Sequence, residues 1–454
     1  MGNSNVRMPL NCVGKCLLAL DGINESMVAH VILNIEGEID ADRLNRAILS
    51  ALRAHPAIRS ILRSKYFRLF QEVQEDLGKG VLTVKDLAEL PDANYERCLS
   101  EWINQPLDLW KEFPFRALLL RKNEVESSLI LTGHHIAVDG LGAVLFILKV
   151  FESYDKDVSE DAQTPEDIRI SHKGDEILQF ARSQRSSVEH YYMKMISSLF
   201  HRFFIAPFHP PTRIFHDKSG RPEGVGYCNG AIDPAEFRQI RSRAKAARVS
   251  VNDVLMAACY RVIERWNSLH GKGSKNIRLM VPVFIGPKGP KDVVSNQVAW
   301  ISVPTMPKDR ADPVKLVHKL RADMASIVKD GIHYSLVYFF FFCSRFPLVV
   351  MRGMCRFLII TRIYIDTTLV SNVGVIWPEE WGELRIGSAN IVRIDVVPPL
   401  VSPMGLALGT YTYEGRLQVC LGYRTGLFSK EKAQSFLDSY LEEIRNYQVG
   451  PEGS

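Results

Sequence analysis

The spacing of apolar positions divides the chain into short strands and amphipathic helices. Residues 27–35 form a nearly continuous apolar run of strand length, and 39–52 repeat their apolar side chains at helical spacing, stopping before His55 and Pro56. Residues 115–120 and 129–132 read as strands parted by a polar turn at 122–126. Residues 141–148 are apolar on almost every face, which predicts a buried helix.

The same reading continues past residue 226. Asp233, Pro234 and Glu236 give three successive helix-start signals, and Ser250 with Asp253 opens a second helix whose face carries Val254, Leu255, Ala258, Cys259, Val262, Ile263 and Trp266. Residues 278–283, 298–303, 406–413 and 417–421 read as strands, and 430–447 as a closing amphipathic helix. The expected class is α/β, with mixed sheets flanked by helices, twice over.

Composition supports two large units. At 454 residues and 46% hydrophobic, the chain has too much to bury for a disordered or low-complexity protein. Turn-forming residues thicken at 152–175 and at 207–226. The second of these sets the expected division: domain 1–205, linker 206–226 and domain 227–454.

Charge and cysteine usage narrow the partners. The 56 basic and 51 acidic residues leave a net +5 spread along the chain, which suits an anionic small ligand and gives no basic stripe for nucleic acid. Eight scattered cysteines without paired metal spacing read as reduced thiols, so no metal is expected. The opening residues, Met1 to Val6, show neither a secretion signal nor a myristoylation pattern, so a cytoplasmic protein is expected and the sequon at Asn24 has little meaning. The most lipid-like region is 336–360, where Arg345, Arg352 and Arg356 break the apolar run before it reaches spanning length. It reads as buried core or the wall of an apolar pocket, with peripheral membrane contact as the alternative.

The strongest chemical signal is His134-His135-Ile136-Ala137-Val138-Asp139-Gly140, placed between a strand and a buried helix. A His-His-x-x-x-Asp-Gly string arises by chance in roughly one chain of this size in a thousand. Adjacent side chains on a strand point to opposite faces, so one histidine can be packed while the other faces a cleft. An imidazole near its ordinary pKa can take a proton from a hydroxyl or amine at neutral pH. Asp139 stands where a helix N-cap belongs, and Gly140 where the chain turns. Residues 272–291 carry Lys272, Lys275, Arg278, Lys288 and Lys291, a cluster suited either to phosphates or to a solvated loop. Nucleophile-elbow, phosphate-loop, zinc-protease and dinucleotide motifs are absent.

This string resembles the signature of the CoA-dependent acyltransferase superfamily, which includes nonribosomal peptide synthetase condensation domains, chloramphenicol acetyltransferase, polyketide-associated acyltransferases and wax ester synthases. Further elements are similar in family order: His55-Pro56-Ala57-Ile58-Arg59, the stretch from Pro106 to Arg116, Val251-Asn252-Asp253, Ser295-Asn296-Gln297 and Ser371-Asn372-Val373-Gly374. The resemblance implies two chloramphenicol acetyltransferase-like domains set in a V around a central tunnel. It implies that His135 is the general base, that His134 and Gly140 shape its loop, and that Asp139 holds the loop by an ionic contact. The Arg that related enzymes often supply to this Asp has no counterpart at 281–288, which leaves Lys288, Arg278 and Arg59 as candidates. Ser371 or Asn372 is the candidate oxyanion donor.

The implied reaction is acyl transfer from a thioester, acyl-CoA or a phosphopantetheine carrier, to a small-molecule alcohol or amine, without an acyl-enzyme and without a permanently bound cofactor. A stand-alone condensation enzyme using a carrier protein in trans, and a non-catalytic acyl-binding or partner-binding homologue, are the alternatives. A monomer is expected.

Overall fold

Fifteen strands among the described residues build three sheets, shown in a computed structural model that describes residues 6–21, 27–66, 68–77, 81–89, 94–157, 209–286, 294, 296–361 and 366–450, with four isolated positions between 158 and 208. The start of the expected linker, the sequon at Asn24, Lys288, Lys291 and Ser295 fall outside the described residues.

The first large sheet has the spatial order Arg385–Ile386, Ala389–Val397, Val28–Glu36, Glu126–His134, Phe115–Arg121 and Leu82–Asp86, antiparallel except for its last pair. The second runs Val298–Thr305, Ile277–Phe284, Thr368–Trp377, Leu406–Tyr413, Arg416–Arg424 and Val225–Ile232, with parallel pairing on both sides of Thr368–Trp377. Helices cover both. Ala41–Ala54 and Gly140–Asp155 pack together over the first sheet, while Val251–Leu269 and Lys430–Asn446 pack over the second. The mixed α/β class expected from the sequence is therefore the class observed, with a small three-stranded sheet (Arg7–Pro9, Arg68–Val73, Ser60–Lys65) added at the side.

Local chemistry explains the helix boundaries. Asp40 accepts from the N–H groups of Asp42 and Arg43 and starts Ala41–Ala54, whose buried face is Leu44, Ala47, Ile48, Ala51 and Leu52. Ser250 and Asp253 form a reciprocal capping box at the start of Val251–Leu269. Asp233 occupies the cap position of Pro234–Ala246, but its side chain makes no capping bond there.

Sequence periodicity gave no warning of one feature. Strands Arg385–Ile386 and Ala389–Val397 come late in the chain, yet pair with the edge of the first sheet through Val28–Glu36. The chain then returns through residues 398–405 to the second sheet. Two strands of late sequence are thereby stitched into the early half, and the clefts described below lie along the seam.

The apolar region at 336–360 is two helices joined by a short connection, Ile332–Cys343 and Leu348–Ile360, each packed on the first helix. Its inner side packs on the first helix, Cys12–Asp21, through Val13, Cys16, Leu17, Val337, Tyr338, Phe340, Cys343 and Met351. No helix among the described residues is long and apolar enough to cross a membrane.

Candidate active site

Strand Glu126–His134 delivers the two histidines into a tight turn, and their environments diverge at once. The ring of His134 is fully buried: Nδ1 accepts from the N–H of Ile136 at 3.0 Å, and Nε2 lies 3.3 Å from Oδ1 of Asp21. A ring whose Nδ1 accepts carries its proton on Nε2, which stands beside the Asp21 carboxylate without a hydrogen bond of its own. Oδ1 of that carboxylate accepts from the N–H of Met27 at 2.9 Å. His134 is thus a fastener for the loop.

The ring of His135 turns the other way, into open space. Two cavities meet there. One, the smaller, is walled by Cys16, Leu20, Met27, Trp300, Phe339, Met354 and their neighbours. The other, the larger, is walled by Gly140, Leu141, Val144, Phe284, Asn372, Val373 and Tyr411 among others. Five residues line both: His135, Pro282, Val298, Leu369 and Pro399. His135 is the one titratable side chain of the five.

Enclosure lowers the His135 pKa to about 4, against the opposing pull of the Asp139 charge. The neighbouring His134 lowers it further, while a hydrogen bond to the backbone of Val138 favours the charged form. At neutral pH the ring is therefore uncharged and has a lone pair to offer.

Asp139 is buried and bound on both oxygens. Oδ1 accepts from the N–H of Gly142 at 2.7 Å, capping Gly140–Asp155, and Oδ2 accepts from the N–H of Gln297 at 2.9 Å. One residue earlier, the side-chain amide of Asn296 donates to the carbonyl of His135 through a short bond. The loop is thus clamped from the second half of the chain by consecutive residues. The resemblance had placed Ser295-Asn296-Gln297 in family order without giving the last two a role.

Of the expected ionic partners, Arg278 is buried in the second sheet, 3.7 Å from Asp366, and Arg59 donates to the carbonyl of Gln74. Neither belongs to the loop, and Arg278 is also removed from any phosphate-binding cluster. Lys288 lies outside the described residues.

Gly140 packs close to the second sheet: a Cβ there would stand 3.3 Å from Cγ2 of Val373. Ser371 and Asn372 line the larger cavity with His135. Asn372 Oδ1 accepts from the N–H of Gly374, and the Ser371 carbonyl accepts from Thr410. The helix Gly140–Asp155 differs from its expected burial. Leu141 is exposed, and Ala143, Val144, Ile147 and Leu148 line the cavity, so an apolar surface that looked like packed core faces empty space. Among the described residues no cluster of His, Cys, Asp and Glu side chains is arranged to hold a metal ion.

Comparison with known proteins fixes the family. The model of the condensation domain matches residues 17–270, more than half of the chain, and the chain belongs to the condensation-domain family. Condensation domains are members of the CoA-dependent acyltransferase superfamily, the group that the His134–Gly140 string resembles.

Among curated proteins, surfactin synthase subunit 1 of Bacillus subtilis (strain 168) is 25% identical over 168 residues, covering 36% of this chain and 4% of that protein. The chain thus corresponds to a small fraction of that relative's length. The first condensation domain of the calcium-dependent antibiotic synthetase, in complex with a substrate analogue, superposes with a TM-score of 0.70 at 15% identity over 99% of this chain and 98% of that one. The starter condensation domain of rhizomide synthetase, in complex with C8-CoA, gives 0.65 at 14% identity over 97% and 95%. These likenesses establish the fold.

Proposed function

We propose that the chain is an acyltransferase that moves an acyl group from a phosphopantetheine thioester to a small hydroxyl or amine acceptor, with His135 as general base. The observation that carries this reading is the position of His135 at the junction of two cavities, which lets donor and acceptor approach one imidazole from different sides. Holding both reactants in near-attack geometry is itself a large part of such catalysis.

The acceptor's lone pair attacks the thioester carbonyl carbon as its proton passes to the free nitrogen of His135. A base of low pKa takes that proton during attack rather than before it. The tetrahedral adduct collapses with cleavage of the C–S bond, and the departing sulfur receives the proton from the imidazolium. No acyl-enzyme forms. Ser371 and Asn372 are assigned to the developing oxyanion because they line the cavity that His135 faces. Asp139, His134 and Gly140 fix the loop and do not touch the reacting atoms.

Pantetheine is common to CoA and to carrier proteins, so either can present the thioester. The C8-CoA bound to the rhizomide starter domain supports the first source, and the likeness to surfactin synthase subunit 1 supports a carrier protein as the second. The apolar wall formed by Phe339, Phe340, Met351, Met354 and Leu358 suits a medium or long acyl chain.

Release of free thiol, measured with acyl-CoA donors and with acylated carrier protein against mixed alcohols and amines, tests the reading. Release from at least one donor, dependent on acceptor, is expected. Binding of both donors without release under any acceptor would leave a non-catalytic homologue instead.

A further inference from the structure

The pair of helices that walls the smaller cavity is apolar on its outer side as well. Phe342, Val349, Phe357 and Ile360 are 52%, 75%, 55% and 78% exposed, with Phe346 and Val350 beside them. Scattered single apolar side chains are ordinary on a surface, but Val349, Val350, Phe357 and Ile360 lie along one helix, and Phe342 and Phe346 meet at the connection that leads into it, which marks an interaction face.

Charge distinguishes what this face meets. Residues 331–361 contain Arg345, Arg352 and Arg356 and not one Asp or Glu. The guanidinium of Arg345 lies over the ring of Phe341, 4.7 Å from its centroid; Arg345 and Arg356 are exposed, while Arg352 is half-buried. Exposed aromatic and aliphatic side chains interleaved with the exposed Arg345 and Arg356 match the headgroup zone of an anionic bilayer, where rings sit at the acyl boundary and guanidinium groups reach phosphate. A protein partner large enough to cover such a face would need carboxylates set against each arginine, whereas a lipid surface supplies anions at any spacing.

The opposite sides of the same two helices line the smaller cavity through Phe339, Phe340, Cys343, Met351, Met354, Cys355, Leu358 and Ile359. The cavity is therefore one helix layer away from the exposed face.

We infer that the outer face of the helices Ile332–Cys343 and Leu348–Ile360 docks on an anionic phospholipid surface and sets the apolar cavity against the acyl chains of the bilayer. The chain lies on the membrane rather than across it. The docking goes beyond the acyl-transfer reading and does not depend on it.

The test is co-sedimentation of the full chain with vesicles of phosphatidylcholine alone or mixed equally with phosphatidylglycerol. The mixed vesicles are expected to bind at least about tenfold more tightly, with binding that weakens as salt is raised. Arg345→Glu with Arg356→Glu should lower that binding about twentyfivefold or more, and Phe357→Ser with Ile360→Ser about tenfold. Neither pair packs in the core, so circular dichroism should match the wild type. His135→Ala should bind as the wild type does, which separates this proposal from the assignment of the base.

No binding to the mixed vesicles would overturn it, as would binding that survives both double variants. A wild-type dimer in sedimentation equilibrium that Phe357→Ser with Ile360→Ser abolishes would overturn it in favour of a second copy as the occupant.

Discussion

The carboxylate of Asp139 accepts the backbone N–H of Gln297 at 2.9 Å, tying the histidine loop to a segment 158 residues further along the chain. The other carboxylate oxygen caps the helix that follows the loop. A single buried side chain therefore sets the position of His135 relative to both halves.

Asp139→Ala leaves two buried N–H groups, those of Gly142 and Gln297, without their acceptor. Each costs about 1–3 kcal/mol, so a loss of about 2–6 kcal/mol in urea unfolding is expected. Asn296→Ala removes the amide from the His135 carbonyl and leaves the core intact. Its expected signature is a kcat lowered about tenfold or more with a smaller change in KM, because the imidazole loses its aim while the smaller cavity loses one polar wall residue.

The stability of the chain should fall as the solution is acidified below pH 6.5. Burial lowers His30 to about 3, and His55 and His135 to about 4, so the unfolded chain binds protons that the folded chain refuses. Between pH 6.5 and 4 each such group makes stability rise with pH by at most about 1.4 kcal/mol per unit. Urea titrations across that window should therefore show a slope several times that of a single histidine. A flat profile would mean that these rings are solvated.

Filling the smaller cavity should shorten the acyl group accepted. Met354→Trp intrudes on the wall shared with Phe339 and Leu358, and each methylene excluded costs about 0.8 kcal/mol, roughly fourfold in kcat/KM. Competition among acyl donors of increasing length measures the shift. Short donors should be used as before.

Arg116 closes the stretch that begins at Pro106 and resembles a family element, and its work is structural. Its guanidinium donates to the carbonyls of Trp102, Gln105 and Pro106 and lies over the Trp102 ring. Arg116→Met should destabilise the fold by about 3 kcal/mol, since charged hydrogen bonds contribute more than neutral ones. The folded fraction should keep its turnover per molecule.

Much of this was legible beforehand, and the gaps have physical reasons. Strands such as Phe115–Arg121 and Leu406–Tyr413 announce themselves by apolar runs with flanking turns, and the divergence of His134 and His135 follows from strand alternation. The late strand Ala389–Val397 was not read because its pattern states that it is half buried and leaves open which sheet it joins. Nor does spacing show that Asn296 and Gln297 reach the loop: a backbone N–H has no sequence signature, and Asn296 is an ordinary polar residue until the fold brings it to His135. The cavity face of Gly140–Asp155 reads as core because apolar lining and apolar packing have the same composition.

The most direct test of the base is the pH dependence of single-turnover acyl transfer in the wild type and in His135→Ala. The account predicts a wild-type rate that falls with acid through a pKa of about 4 and a variant slower by about 10²–10⁴ that has lost that limb. A variant that keeps the wild-type rate and the same acid limb would contradict it.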